Sequence, residues 1–184
     1  MDTLTEQELE QLKYPTGRFV RGTQADTPER RAHCVAVLEA FPARLKDEVA
    51  QLTDAQLDTP YRPGGWTVRQ TVHHLADSHG QALTRFKWAL SEDTPVIKAY
   101  KEALWAEQAD ARTLPVAPSL AILEGVHARL VVLMRAMAPA DWDRGFMHPE
   151  QDRRITLSEA LETYTWHCGH HLAHITRVKD RMGW

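Results

Sequence analysis

Near the C-terminal end, Leu157, Leu161, Tyr164, Cys168, His171, Ile175, Val178 and Met182 recur at spacings of 4, 3, 4, 3, 4, 3 and 4. That stride keeps to one face of an α-helix, and a strand, whose side chains alternate, cannot reproduce it. A stripe this long has to be covered, and other amphipathic helices are its natural cover. Thr156-Leu157-Ser158-Glu159 has the spacing of a capping box at its start, and Met182-Gly183 supplies a stop. Inside the stripe sits a histidine, His171, flanked by His167, His170 and His174.

Three further segments carry the same signature. Thr27-Pro28-Glu29 offers a cap, a first-turn proline and an acid, and predicts a helix to about Leu52, interrupted or kinked at Pro42. After the Pro63-Gly64-Gly65 loop, Thr67 and Gln70 form a second capping box. The stripe Val68, Val72, Leu75, His79, Ala82, Phe86 then runs to about Leu90. A third helix starts at Ser119, carries Leu120, Leu123, His127, Leu130, Leu133 and Met137, and stops at Pro139. The stretch 95–118 reads as a crossover or a lid with one short helix at Glu102–Gln108. No segment alternates like a strand. Residues 1–26, broken by Pro15, Gly17 and Gly22, read as an irregular arm that packs on the body through Leu12, Tyr14 and Phe19. The expectation is a single domain over 1–184, an all-α four-helix bundle with long crossover connections and an irregular N-terminal arm.

A net charge of −3 argues against a nucleic-acid partner, which calls for a basic face. No stretch approaches the roughly 18 apolar residues that span a bilayer, and the N-terminus has no basic start followed by an apolar run. Cys34 and Cys168 stand far apart with no CxxC, which fits buried thiols in a reducing cytoplasm. Ten histidines in 184 residues is an excess that needs a reason. HExxH, GxSxG, P-loop and GxGxxG motifs are all missing.

Imidazole is the commonest protein ligand for transition metals, and an i, i+4 pair on a helix aims two nitrogens at one point. At about 100° per residue, His167 lies some 40° from the His171 seam, His174 about 60° and His170 roughly 100°. His167 and His171 are therefore the inward pair. A third imidazole comes from the helix holding His73-His74-Leu75-Ala76-Asp77-Ser78-His79. Periodicity nominates His79, which lies on the stripe, while His74 sits on its flank and His73 nearly opposite. Asp77 suits a group that orients a ligand or acts as general base. Cys168 reads as a small packing residue, with a soft metal ligand as the alternative. His33, His127 and His148 are isolated and read as structural or exposed. Trp66, Tyr100, Trp105 and Trp166 read either as cavity walls or as core aromatics, with the core reading preferred for Trp166. Arg69 and Lys87 read as solvated surface, with neutralisation of an acidic substrate as the alternative.

Several runs match a known pattern: Pro63 to Gln70, His73 to His79, Arg85-Phe86-Lys87, Trp166-His167 through His171 to Ile175, and the closing Arg181-Met182-Gly183-Trp184. Tyr14-Pro15-Gly17 and Leu57 to Arg62 extend the match over nearly the whole chain. In these the chain resembles the YfiT group of the DinB-like superfamily. The resemblance implies a four-helix bundle with one divalent metal ion, zinc or nickel, held by His74, His167 and His171. It also implies a metal-dependent hydrolase acting on a small molecule, and a cytoplasmic homodimer. Wider relatives transfer low-molecular-weight thiols of the bacillithiol or mycothiol type, so thiol transfer onto electrophiles is the alternative reaction. In the hydrolase reading Asp77 or His170 relays protons. A structural or stored metal, closed by Cys168 or His170 as fourth ligand, is the remaining possibility.

Overall fold

The computed structural model describes residues 4–184. Its elements are α1 (Glu6–Lys13), α2 (Pro28–Val49), α3 (Asp54–Leu57), α4 (Val68–Ser91), α5 (Glu102–Trp105), α6 (Ala109–Thr113), α7 (Ala117–Arg135), β1 (Gly145–His148), β2 (Arg153–Thr156) and α8 (Leu157–Met182). A 3-10 turn at Pro139–Asp143 links α7 to the hairpin.

The four long helices α2, α4, α7 and α8 form the bundle. Helix α2 packs on α7 and α8, and so does α4, so consecutive helices α2 and α4 face each other across the diagonal. Each start is built as its capping residues predict. Thr67 Oγ1 accepts from the Gln70 N–H at 3.1 Å, while Gln70 Oε1 accepts from the Thr67 N–H at 2.9 Å. Thr156 and Glu159 repeat the reciprocal pair, both at 3.1 Å. At the far end of α8, Gly183 adopts φ 72°, the left-handed conformation that closes helices. Leu38, Phe41, Leu45, Leu75, Phe86, Leu123, Leu130, Leu161 and Ile175 fill the interior.

The structure departs from the sequence reading at several points, among them two short helices, α5 and α6, where one was expected at Glu102–Gln108. The arm is not wholly irregular: Thr5 and Glu8 make a capping box that starts α1. Pro42 does not break α2, which runs through it. The connection after α7 contains a hairpin, Gly145–His148 against Arg153–Thr156, too short to show alternation. A Cβ on Gly145 would lie 2.1 Å from the Ile155 carbonyl oxygen, so this close pairing requires glycine there. Segment 95–97 bonds to the hairpin, with Met147 N–H donating to the Pro95 carbonyl at 2.9 Å.

Helix α7 also corrects the membrane reading. By length and composition Ala117–Arg135 is apolar enough to cross a bilayer, with a mean hydropathy of 1.4. Here it is a bundle helix: it buries Leu123, His127, Leu130 and Met134 against α2 and α4, and turns Glu124 and Arg129 outward. Two charges in mid-helix on the outward face suit water, not lipid.

Candidate metal centre

His74 leaves α4, and His167 and His171 leave α8, at the point where the two helices pack together. One nitrogen from each lies within 4.8 Å of the other two. The His74 and His167 Nε2 atoms stand 3.1 Å apart. Ligand bonds of about 2.0–2.1 Å in a tetrahedral set put nitrogens roughly 3.3 Å apart, so the spacing suits a small divalent ion. A single shared proton satisfies two imidazole nitrogens; with the third at the same point, the set could hold a cation. Burial, reinforced by the neighbouring imidazoles, lowers all three pKa values, that of His74 to about 4 and those of His167 and His171 well below the usual range. Near neutral pH they are therefore uncharged, the form that ligates.

The opposite edges of the α8 pair face two more histidines. His167 Nδ1 lies 3.3 Å from His79 Nε2, and His171 Nδ1 lies 3.4 Å from His174 Nδ1. His174 Nε2 donates to the Lys13 carbonyl at 3.1 Å, which leaves its Nδ1 as the acceptor for the His171 proton. Thus the end of α1 fixes the tautomer of His174, and through it that of His171. Sequence periodicity placed His79 on the inward stripe correctly. It did not distinguish a residue at the shared point from one directly behind it.

A cavity of about 450 Å³ opens onto the three histidines. Trp66 covers one side, with its ring 4.6 Å from that of His74, and Tyr100 and Trp166 line others. Trp166 is thus a wall residue and not simply a core aromatic. It stacks on His170 at 4.3 Å, and Phe19 from the arm packs behind it at 5.7 Å. Trp105 packs on Tyr100 at 4.7 Å without reaching the cavity.

The two proposed proton carriers part company. His170 lines the cavity, its Nδ1 is unpartnered, and burial lowers its pKa to about 4. Asp77 is not among the lining residues. It is half-buried, and burial, aided by the charge of Asp110, raises its pKa to about 6. Asp77 is four residues past His73, so it shares the face on which His73 bonds Ser119 Oγ at 2.7 Å and the Leu114 carbonyl at 3.0 Å. That face meets the α6–α7 junction, away from the cavity.

The remaining candidates fall elsewhere. His33 and Lys87 are exposed. Arg69 is buried, contrary to the surface reading, and binds Asp58 at 2.6 Å and Asp54 at 2.9 Å. His148 lines the cavity from the hairpin, a placement that a strand too short to read concealed. Cys168 and His127 belong to a second, sealed group with His79.

Fold and site together define a four-helix bundle that gathers three neutral imidazoles at the floor of a cavity. A sequence profile described as the DinB superfamily matches residues 37–175, and the chain belongs to that superfamily. It is 47% identical over 173 residues to a Bacillus subtilis protein named "Putative metal-dependent hydrolase YfiT", covering 94% of this chain and 97% of that one. A Geobacillus kaustophilus protein carrying the same hydrolase designation is 39% identical over 176 residues, 96% of this chain and 98% of its own. The solved structure of Bacillus subtilis YfiT, described as an unusual four-helix bundle, superposes with a TM-score of 0.91 over 95% of this chain and 99% of that chain. A mycothiol-dependent maleylpyruvate isomerase shares the fold at 19% identity, with a TM-score of 0.65 over 82% of this chain and 61% of its own.

Proposed function

We propose that His74, His167 and His171 hold one divalent metal ion, zinc or nickel, and that the protein is a metal-dependent hydrolase of a small-molecule substrate. The observation that carries this is the convergence of three neutral imidazole nitrogens within 4.8 Å at the floor of an open cavity. Bound there, such an ion supplies Lewis acidity, which lowers the pKa of a water molecule from 15.7 to about 7 or holds a thiol as thiolate.

The chain's own groups do the rest. His79 and His174 take the Nδ1 protons of His167 and His171 and leave both Nε2 lone pairs directed at the shared point. His170, uncharged and with Nδ1 free at the wall, is the group that accepts a proton. Trp66 and Trp166 wall the site and restrict water around the reacting atoms. Asp77 stands on the α6–α7 side, where it holds its own proton up to pH about 6, and does not line the cavity.

A second reading, transfer of a low-molecular-weight thiol onto an electrophile, is favoured by the position of Asp77. With that carboxylate turned away, a nucleophile that needs no carboxylate base suits the site. The names of the relatives in Bacillus and Geobacillus support hydrolysis over transfer. We further propose a cytoplasmic homodimer, for which sedimentation velocity is the test.

Elemental analysis of the purified protein tests the ligand set, with about one divalent ion per chain expected. The reaction is tested by incubating the metal-loaded protein with a chromogenic ester, with and without a small thiol. Hydrolysis without the thiol supports the first reading; turnover that depends on it establishes the second.

A further inference from the structure

Past the three histidines, the cavity continues between α4 and α8 to Arg85, about three helical turns from His74 on nearly the same face of α4. Arg85 donates from Nη1 to the Tyr164 hydroxyl at 3.2 Å, and its buried Nε has no partner. Among the described residues, no carboxylate lies within 4.0 Å of its guanidinium. Beyond it lies a second cavity of about 210 Å³, which shares Arg85, His148 and Trp166 with the first and adds Arg21 and Arg153. Among the described residues, no aspartate or glutamate lines this annex. Glu159 neutralises Arg153 at 3.0 Å, but among the described residues Arg21 bonds only to the neutral amide of Gln151, at 2.8 Å. Two guanidiniums therefore stand without an acid.

Neutral donors add to them. Trp166 Nε1 and His148 Nδ1 are buried at the same walls without partners. Buried N–H groups are almost always satisfied in folded proteins, because leaving one unmade is costly. Several together, beside two unpaired guanidiniums, are arranged for an acceptor that arrives with a ligand. Guanidinium forks match planar or tetrahedral oxyanions. Glu102 and Glu150, which also line the first cavity, are exposed and leave Arg85 unpaired.

We propose that the annex receives an anionic oxygen group, carboxylate or phosphoryl, of the small molecule handled at the three histidines. The substrate is then elongated, with its reacting bond at His74, His167 and His171 and its charge at Arg85 and Arg21. This rests on the metal-centre reading for the substrate's other end, but the anion site itself is testable without metal.

The test is calorimetric titration of chelator-treated protein with inorganic phosphate, succinate and, as a neutral control, succinamide. Phosphate or succinate binds and succinamide does not; the stronger of the two anions identifies the group. Arg85→Ala weakens that binding at least tenfold, Arg85→Lys falls between, and Arg21→Ala weakens it about threefold, flagged by exposed placement as the smaller partner. Zinc content, measured separately, is unchanged in all three. Anion binding equal in Arg85→Ala and wild type overturns the proposal, as does binding that appears only with zinc present, or none of either anion. Should Arg85→Ala not fold, Arg85→Lys and Arg21→Ala carry the same comparison. Arg85-dependent binding, together with a wild type that holds no divalent metal before chelation and takes none up on reloading, sinks the metal reading and leaves the annex standing.

Discussion

Of three groups of ligand-type side chains among the described residues of this bundle, one of them His170, His171 and His174, two lie side by side and have different fates. His74, His167 and His171 surround one point at a cavity floor. Just behind them, His79, His127 and Cys168 are equally close to one another, yet only 0%, 1% and 1% exposed. In the sealed group each histidine has one ring nitrogen engaged, while His79 Nδ1 and His127 Nε2 are buried without a partner. His127 Nδ1 donates to the Leu38 carbonyl at 2.6 Å, and His79 Nε2 faces His167. Burial pushes the Cys168 thiol far above its usual range, so without a metal it keeps its proton. Proximity of ligands is therefore not enough. An open approach separates a chemical site from a packed layer that supports it.

The strongest attack on this distinction is His167→Ala. It removes a ligand that bridges the two groups, and metal affinity should fall about a thousandfold or more, equivalent to roughly 4 kcal/mol. Stoichiometric metal in that variant, by elemental analysis, would reject the assignment.

Acid should come next in size, on metal-free protein. In the unfolded chain these histidines protonate near 6.5, whereas burial holds His74 and His170 near 4 and His174 near 3. The unfolded state thus takes up protons first, and stability is lost as pH falls from 6.5 towards 4, by about 3 kcal/mol for His74 alone. Asp77 works in the opposite sense: raised to about 6, its folded form takes the proton first and offsets part of the loss. Urea midpoints between pH 7 and 4.5 should show the decline, and a flat profile would contradict it.

His79→Ala sharpens the comparison, since it separates a ligand from a support. Stoichiometry should stay while affinity drops about 10- to 100-fold, the usual cost of losing a group that orients a ligand. Complete loss of metal would make His79 a ligand instead. Cys168→Ala should do least, with unchanged metal content and a loss of about 1 kcal/mol in denaturant titration. Reduced metal content there would bring the sealed group into the chemistry.

Much of this architecture is legible because helical periodicity is local. The 4,3 stride of α8, the three capping residues Thr27, Thr67 and Thr156, and the i, i+4 pair His167 and His171 all follow from neighbours within two turns. Short elements were lost for the same reason. Four residues per strand carry too little pattern to reveal β1 and β2, and with them the placement of His148 on the cavity wall. Arg69 looked like a surface cation because its acids, Asp54 and Asp58, meet it only once α3 folds back on α4.

By itself the sequence determined the helices, their inward stripes and the pair of imidazoles that α8 aims at one point. Only the tertiary structure grouped His74, and not His79, with both His167 and His171, because rotation of one helix against another is set by packing across the whole interface. It likewise turned Asp77 away from the cavity and placed His174 between Lys13 and His171. Spacing along a chain fixes which side chains share a face; what that face meets depends on contacts between residues far apart in sequence.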